Sequence, residues 1–126
     1  MNHQNVVSWF EIPVLEMNRA RKFYEEIFQV ELQPLELANG LKMSLFPQDT
    51  GYNSGSLCFY PDFYKPGHQG PLIYLNATPS IDDVLERIPQ AGGKVIIPKN
   101  QISKERGYMA VFEDTEGNRL ALNSMD

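Results

Sequence analysis

The order of strands and helices repeats once along the chain, and this repeat restricts the possible folds more than any other feature. The first copy reads as a strand, a helix and three strands, at about 6–13, 17–28, 30–37, 41–46 and 56–61. The second copy has the same order, at about 71–77, 81–88, 94–99, 108–114 and 118–124. Because the period is roughly 60 residues, an internal duplication is the simplest explanation. We predict one domain, 1–126, made of two βαβββ modules at about 5–61 and about 71–125.

The two helices are predicted from the spacing of their apolar residues. In the first helix these residues recur at three- and four-residue spacing, as in a buried stripe: Met17, Ala20, Phe23, Tyr24, Ile27 and Phe28. Glu16 or Asn18 is expected to cap this helix, Ser80 is expected to cap the second one, and Gly92 lies where the second one ends. Two helices over the back of a mostly antiparallel sheet make the fold class α+β.

Turn-forming residues separate the predicted strands. Pro34 lies inside the segment 30–37, which is therefore expected to be an edge strand or to carry a bulge. Asn39-Gly40 is a hairpin signal. The segment TEG, 115–117, is expected to join the last two strands as a second hairpin.

Composition narrows the possible partners and the compartment. The net charge of the chain is −5, which argues against a nucleic-acid or anionic-membrane partner, since both favour basic patches. No apolar run approaches the ~18 residues of a membrane span, and the amino terminus lacks the layout of a signal peptide. Cys58 is the only cysteine, so no internal disulfide is expected, which fits a reducing cytoplasm.

Three local patterns point to a known family. FEIPV is followed by ARKFYEEIF, AGGKVIIP spans the end of the second helix and the next strand, and FEDTEGNRLAL covers the closing hairpin. In these patterns the chain resembles the vicinal oxygen chelate superfamily, which includes glyoxalase I, bleomycin-resistance proteins and extradiol dioxygenases. The resemblance implies that the two modules curl into a half-barrel with a cavity inside it and helices on the outer face. It also implies a homodimer.

The resemblance further implies where a metal would bind. Metal-dependent members carry His and Glu ligands on the first and the last strand of each module. The corresponding positions in this sequence are Trp9, Cys58, Leu72 (or Ile73) and Ala121. The only two histidines, His3 and His68, lie before the first strand and in the connection between the modules. We therefore expect a single-domain member that lacks the usual metal ligands and needs no cofactor.

Strand alternation predicts which side chains line the cavity, because residues two apart on a strand share a face. Counting from the four ligand positions gives an apolar, aromatic pocket with a few polar groups, as in small-molecule sites. The predicted ligand-binding residues are Trp9, Cys58, Tyr74, Asn76, Arg119 and Asn123. Glu11 shares the face of Trp9 and is the candidate general base, whereas Phe10 and Ile12 face the helix.

Each of these residues also has a structural interpretation. Trp9 is either core filler at the lost metal site or a surface that stacks on a flat ligand. Glu11 and Arg119 alternatively pair with each other or face solvent at a strand end. Tyr74 fits the core or a dimer interface, and Cys58 fits a buried small apolar residue.

The connection between the modules, PDFYKPGHQGP at 61–71, carries Phe63, Tyr64 and His68 between glycine and proline residues. It is either a lid over the cavity or a plain connection.

Three functions remain compatible with the sequence. The first is a metal-free protein that binds a small, partly aromatic or carbonyl compound in the cavity, in the manner of bleomycin-resistance proteins. The second is a lyase or isomerase in which Glu11 is the general base and Arg119 or Asn123 stabilises negative charge on an enolate or oxyanion. The third is protein–protein association, with the cavity filled by Trp9, Tyr74 and their neighbours.

Overall fold

In the part of the chain that the structure describes, the first module contains one helix and four strands. The computed structural model describes residues 6–48 and 54–126, so the prediction for His3 lies outside the described residues. The elements are β1 Trp9–Pro13, α1 Met17–Phe28, β2 Gln33–Glu36, β3 Lys42–Leu45 and β4 Ser54–Phe59, with a short 3-10 turn at Ala38–Gly40.

The second module repeats this order. Its elements are β5 Tyr74–Asn76, α2 Ile81–Ala91, β6 Lys94–Ser103, β7 Gly107–Glu113 and β8 Arg119–Ser124. The predicted βαβββ order is therefore confirmed in both modules, and the fold class is α+β.

The strands form two four-stranded sheets with equivalent topology, β1-β4-β3-β2 and β5-β8-β7-β6. In each sheet the first strand pairs in parallel with the last, and the remaining pairs are antiparallel. The described sheets do not close on themselves, as in a curled half-barrel. β2 is an edge strand, as Pro34 predicts, because proline has no amide proton to donate to a further strand.

Several predicted strand boundaries are wrong by a few residues. The predicted strand at 71–77 shortens to Tyr74–Asn76, although the Ile73 carbonyl still accepts a hydrogen bond from the Ala121 amide. The predicted strand at 94–99 extends to Ser103, because β6 absorbs Pro98 through shifts in its register against β7.

Both helices are capped as their sequences predict. The Glu16 carboxylate accepts a hydrogen bond from the Arg19 amide at the start of α1. Ser80 Oγ accepts one from the Asp82 amide at the start of α2. α2 ends at Gly92, whose φ of 106° is a left-handed conformation that glycine adopts without strain.

We expect Ser80→Ala to lower the free energy of unfolding by about 1 kcal/mol, because the amide of Asp82 loses its side-chain acceptor. Urea unfolding measures this change. Ser8→Ala, an exposed serine outside the helices, is the control and should leave the midpoint unchanged. A Ser80 variant as stable as the parent would contradict the assigned cap.

The core lies where the two helices meet both sheets. α1 and α2 contact each other, and Phe23 and Tyr24 of α1 are fully buried, as the helical stripe predicts. Their rings also contact Phe112 of β7, with centroids 6.1 and 6.5 Å apart. Aromatic rings of helix α1 in the first module therefore contact the sheet of the second module and join the two sheets in one core.

A buried polar turn at 114–118 adds a second connection between the modules. Asp114 is buried and accepts hydrogen bonds from the Tyr24 hydroxyl, at 2.7 Å, and from Asn118. Asn118 in turn donates to the Pro13 carbonyl at the end of β1. Burial raises the pKa of Asp114, against the opposing effect of its hydrogen bonds.

Glu116 in the same turn holds the start of α1. Its carboxylate accepts hydrogen bonds from the amides of Leu15 and Glu16, both at 2.8 Å, and from the guanidinium of Arg19. Burial alone would raise the pKa of Glu116. The hydrogen bonds from Arg19 and from the backbone nevertheless hold this pKa below its usual value.

Candidate functional site

The core cluster shows which face of each sheet packs against the helices. Ile12, Leu75, Leu120 and Leu122 all belong to the core cluster on the helix side. Residues one position away along the same strands therefore lie on the opposite, concave face. This places Trp9 and Glu11 on the concave face of the first sheet, and Tyr74, Asn76, Arg119, Ala121 and Asn123 on that of the second.

Glu11, on the concave face of the first sheet, is hydrogen-bonded to the connection between the modules. Its carboxylate is exposed, and its Oε1 accepts a hydrogen bond of 2.5 Å from the hydroxyl of Tyr64. Among the ion pairs of the described residues there is none between Glu11 and Arg119. The pairing of Glu11 with Arg119 that the sequence allows is therefore not seen, and Tyr64 is the partner instead.

Cys58 lies beside this pair and is fully buried. Its Sγ is 3.2 Å from Ser56 Oγ. Burial raises the pKa of the Cys58 thiol to about 11, and the nearby Glu11 carboxylate acts in the same direction. A neutral, buried thiol agrees with its interpretation as a small apolar residue, and a nucleophilic role would require the opposite shift.

The raised pKa of Cys58 predicts a loss of stability at alkaline pH. The thiol ionises near pH 9 in the unfolded chain and near pH 11 in the folded chain. Its protonation therefore contributes fully to the free energy of unfolding below about pH 9. It is lost as the pH rises towards about 11. We expect Cys58→Ala to remove about 2 kcal/mol of this pH dependence between pH 8 and 11, measured by urea unfolding. Parallel pH profiles for the parent and the variant would contradict this assignment.

The second concave face carries the amide side chains, and these are engaged within the chain. Asn76 Oδ1 accepts hydrogen bonds from the amide and the hydroxyl of Thr78. Asn123 Nδ2 donates to the carbonyls of Arg106 and Tyr108. Tyr74, opposite Ala121 in β8, is 50% exposed, which rules out its interpretation as a core residue.

The predicted site is divided between two cavities that described residues of both modules line. The smaller, of about 320 Å³, contains Glu11 and Arg119. The larger, of about 660 Å³, contains Tyr74 and Asn76. Trp9, Cys58 and Asn123 line neither of them, although Trp9 is the register partner of Ser54, which lines the larger one.

The connection at 61–71 holds contacts with both modules, which the sequence reasoning missed. Tyr64 reaches Glu11 in β1, and His68 Nε2 lies 2.7 Å from the Glu113 carboxylate in β7. The Gly67 amide donates to Asn118 Oδ1, and Arg119 Nη2 donates to the Gly70 carbonyl. Four residues of the segment line the smaller cavity: Lys65, Gly67, Gln69 and Pro71. The aromatic and His residues of the segment were the only sequence signal of these contacts.

Comparison with known proteins identifies the family. Residues 6–122 match the model of the Glyoxalase/Bleomycin resistance protein/Dioxygenase superfamily. The chain belongs to this superfamily. No curated protein sequence gives a significant match. Within the described part of the chain, no helix is long and apolar enough to cross a membrane.

Solved structures of the superfamily are similar over nearly the whole chain. TnmS3, an antibiotic binding protein from Streptomyces sp. CB03234, is 25% identical, with a TM-score of 0.67 and 98% of each chain covered. A glyoxalase/bleomycin resistance protein from the same organism is 26% identical, with a TM-score of 0.66, covering 92% of this chain and 97% of that one. A glyoxalase I variant from Zea mays is 15% identical, with a TM-score of 0.70, and shows the fold alone. That match covers 93% of this chain and 45% of the maize chain.

The usual metal of the superfamily does not fit the residues present. The positions that the resemblance assigns to its ligands carry Trp9, Cys58, Leu72 (or Ile73) and Ala121, and only the sulfur of Cys58 is a donor atom that metals favour. Burial raises the pKa of that thiol, which disfavours the thiolate that a metal would need. Within residues 6–48 and 54–126, no three His, Cys, Asp or Glu side chains lie together in a way that would hold a metal ion.

Proposed function

We propose that this protein is a metal-free binding protein of the glyoxalase/bleomycin-resistance type. Its ligand is a small, partly aromatic or carbonyl compound held in the larger of the two cavities between the modules. The proposal rests on one observation above all, the aromatic lining of the larger cavity. TnmS3 and the Streptomyces bleomycin resistance protein, whose names describe antibiotic binding and resistance, support it by similarity.

The larger cavity has the composition of a small-molecule site. Its volume of about 660 Å³ lies inside the usual range for drug-sized ligands. Aromatic rings from both modules line it: Phe10, Phe28 and Phe46 from the first, and Tyr74 from the second. Ser54, Asn76, Thr78 and Gln48 supply the polar groups. Flat, apolar surfaces with few polar groups favour a ligand with a fused or substituted ring and one carbonyl.

We predict that Tyr74→Ala weakens binding of 2-acetonaphthone, an aromatic ketone of suitable size, by about five-fold. The change removes an exposed ring worth ~0.5–1.5 kcal/mol of stacking. Isothermal titration calorimetry measures the Kd. Phe63→Ala is the matched control, since Phe63 is 73% exposed and lines neither cavity. Equal Kd values for the Tyr74 variant and the parent would place the ligand elsewhere.

One observation favours a second candidate, a lyase or isomerase that acts without a metal. Glu11 and Arg119 line the same cavity, so a base and a cation face one space, as a proton abstraction next to a carbonyl requires. If this function is correct, Glu11→Gln abolishes turnover of a carbonyl substrate and leaves its binding intact. A pure binding protein gives no turnover at any pH.

We also propose that the protein acts as a homodimer. Apolar residues stay exposed on the concave faces of both sheets, with Leu35 at 43%, Tyr74 at 50% and Ile97 at 45%. A second copy would cover these faces and enclose the ligand. Multi-angle light scattering at micromolar concentration should give twice the chain mass of 14.4 kDa. A single-chain mass would contradict this part of the proposal.

A further inference from the structure

Arg119 carries a buried donor that nothing in the described chain accepts. Its guanidinium donates from Nη2 to the Gly70 carbonyl at 2.9 Å, which fixes the side chain against the connection. Its Nε is buried and has no hydrogen-bond partner among the described residues. Buried donors without an acceptor are rare and cost ~1–3 kcal/mol, so an acceptor from outside the chain is expected at this point.

The cavity beside Arg119 has an excess of positive charge. Among the described residues that line it, Arg119 and Lys65 are the cations and Glu11 is the only carboxylate. One oxygen of Glu11 already accepts the Tyr64 hydroxyl. Lys65 Nζ donates to the Pro61 carbonyl and keeps further protons to donate. An incoming anion would therefore meet two cations.

The rest of this cavity is small and mostly apolar, with Gln69 and Asn118 as its uncharged polar side chains. Ile12, Ile73 and Leu120 form its walls together with Pro13 and Pro71. The polar atoms of Asn118 are satisfied by Gly67, Pro13 and Asp114, so this side chain has little left to offer a ligand. The volume of about 320 Å³ is at the lower end of the range for ligand sites.

We propose that the cavity under residues 61–71 binds the carboxylate of a small organic acid, with Arg119 Nε and Lys65 as donors and the apolar walls around its ring or chain. This inference rests on the proposed function. It adds a ligand class for the smaller cavity, whereas the aromatic lining concerns the larger cavity alone. Charge-assisted hydrogen bonds of this kind are about twice as strong as neutral ones.

The test uses sodium benzoate as the probe and benzamide as its uncharged isostere. In uniformly 15N-labelled protein, the Arg119 Nε–H resonance is assigned by its loss in Arg119→Lys, or by backbone-linked experiments if that variant does not fold. Benzoate should shift this resonance saturably, and benzamide should bind at least about ten-fold more weakly. Lys65→Gln should weaken benzoate binding by about three-fold. Arg106→Lys, an exposed arginine in the turn after β6, should leave the titration unchanged.

Equal Kd values for benzoate and benzamide would overturn the anion site. An Arg119 Nε–H resonance that does not shift with benzoate would also overturn the anion site. The same holds if the Nε–H group stays bound to a water molecule throughout the titration. Titration of 2-acetonaphthone separates this failure from failure of the proposed function. If 2-acetonaphthone binds and benzoate does not, only the carboxylate site is wrong. If neither compound binds, the proposed function is wrong as well.

Discussion

Replacing Glu116 with alanine will lower the free energy of unfolding by about 3 kcal/mol. The variant removes a carboxylate that is fully buried and that accepts hydrogen bonds from two backbone amides, from Arg19 and from the Thr115 hydroxyl. Hydrogen bonds to a charged group contribute ~1.5–3 kcal/mol each and are not additive. The Arg19 side chain is half exposed, so water compensates part of the loss.

Guanidinium or urea unfolding measures this change, and a thermal scan should show a midpoint lower by about 10 °C. Glu105→Ala, an exposed glutamate in the turn after β6, is the matched control and should change stability by less than ~0.5 kcal/mol. Arg19→Ala should cost less than Glu116→Ala, since the backbone amides of Leu15 and Glu16 keep their acceptor. A Glu116→Ala variant within ~1 kcal/mol of the parent would show that this turn does not hold the modules together.

Replacing Gly55 with alanine should destabilise the first module to a similar extent, by about 3 kcal/mol. Gly55 lies in β4 opposite Phe10 in the parallel strand β1. A Cβ at residue 55 would lie 2.5 Å from two ring atoms of Phe10 and would also meet its carbonyl oxygen. The ring has limited freedom and the carbonyl belongs to the sheet, so the two strands must separate to relieve the contact.

Gly67→Ala is the matched control, because a Cβ at residue 67 meets no atom within 4 Å and its backbone needs no left-handed conformation. Chemical unfolding compares the two variants. Phe10 lines both cavities, so Gly55→Ala should also weaken binding of 2-acetonaphthone. A Gly55→Ala variant as stable as Gly67→Ala would contradict the close approach of β1 and β4.

The fold could be predicted from the sequence because its signals are local. The apolar stripe that includes Phe23 and Tyr24 requires only the helical period, and both residues are buried. The cap at Ser80 and the left-handed turn at Gly92 depend on single residues. The strand ends were less accurate, since β6 runs on to Ser103 through pairing with β7 that no local pattern reveals.

The candidate site could be predicted only in part. The alternation of side chains along a strand correctly places Glu11 and Arg119 outside the core, because this prediction requires only the two-residue period of a strand. The angle between the sheets and the path of residues 61–71 are set by long-range contacts, which spacing does not contain. These contacts give Glu11 its partner Tyr64 and divide the predicted residues between two cavities.

The central claim is that the protein binds an aromatic small molecule without a metal. Calorimetric titration of 2-acetonaphthone tests it most directly, with protein treated by a chelating resin and with the same protein after addition of zinc, manganese or iron(II). We expect saturable binding with the same Kd in every sample. Binding that disappears after chelation and returns with one of the metals would contradict the account.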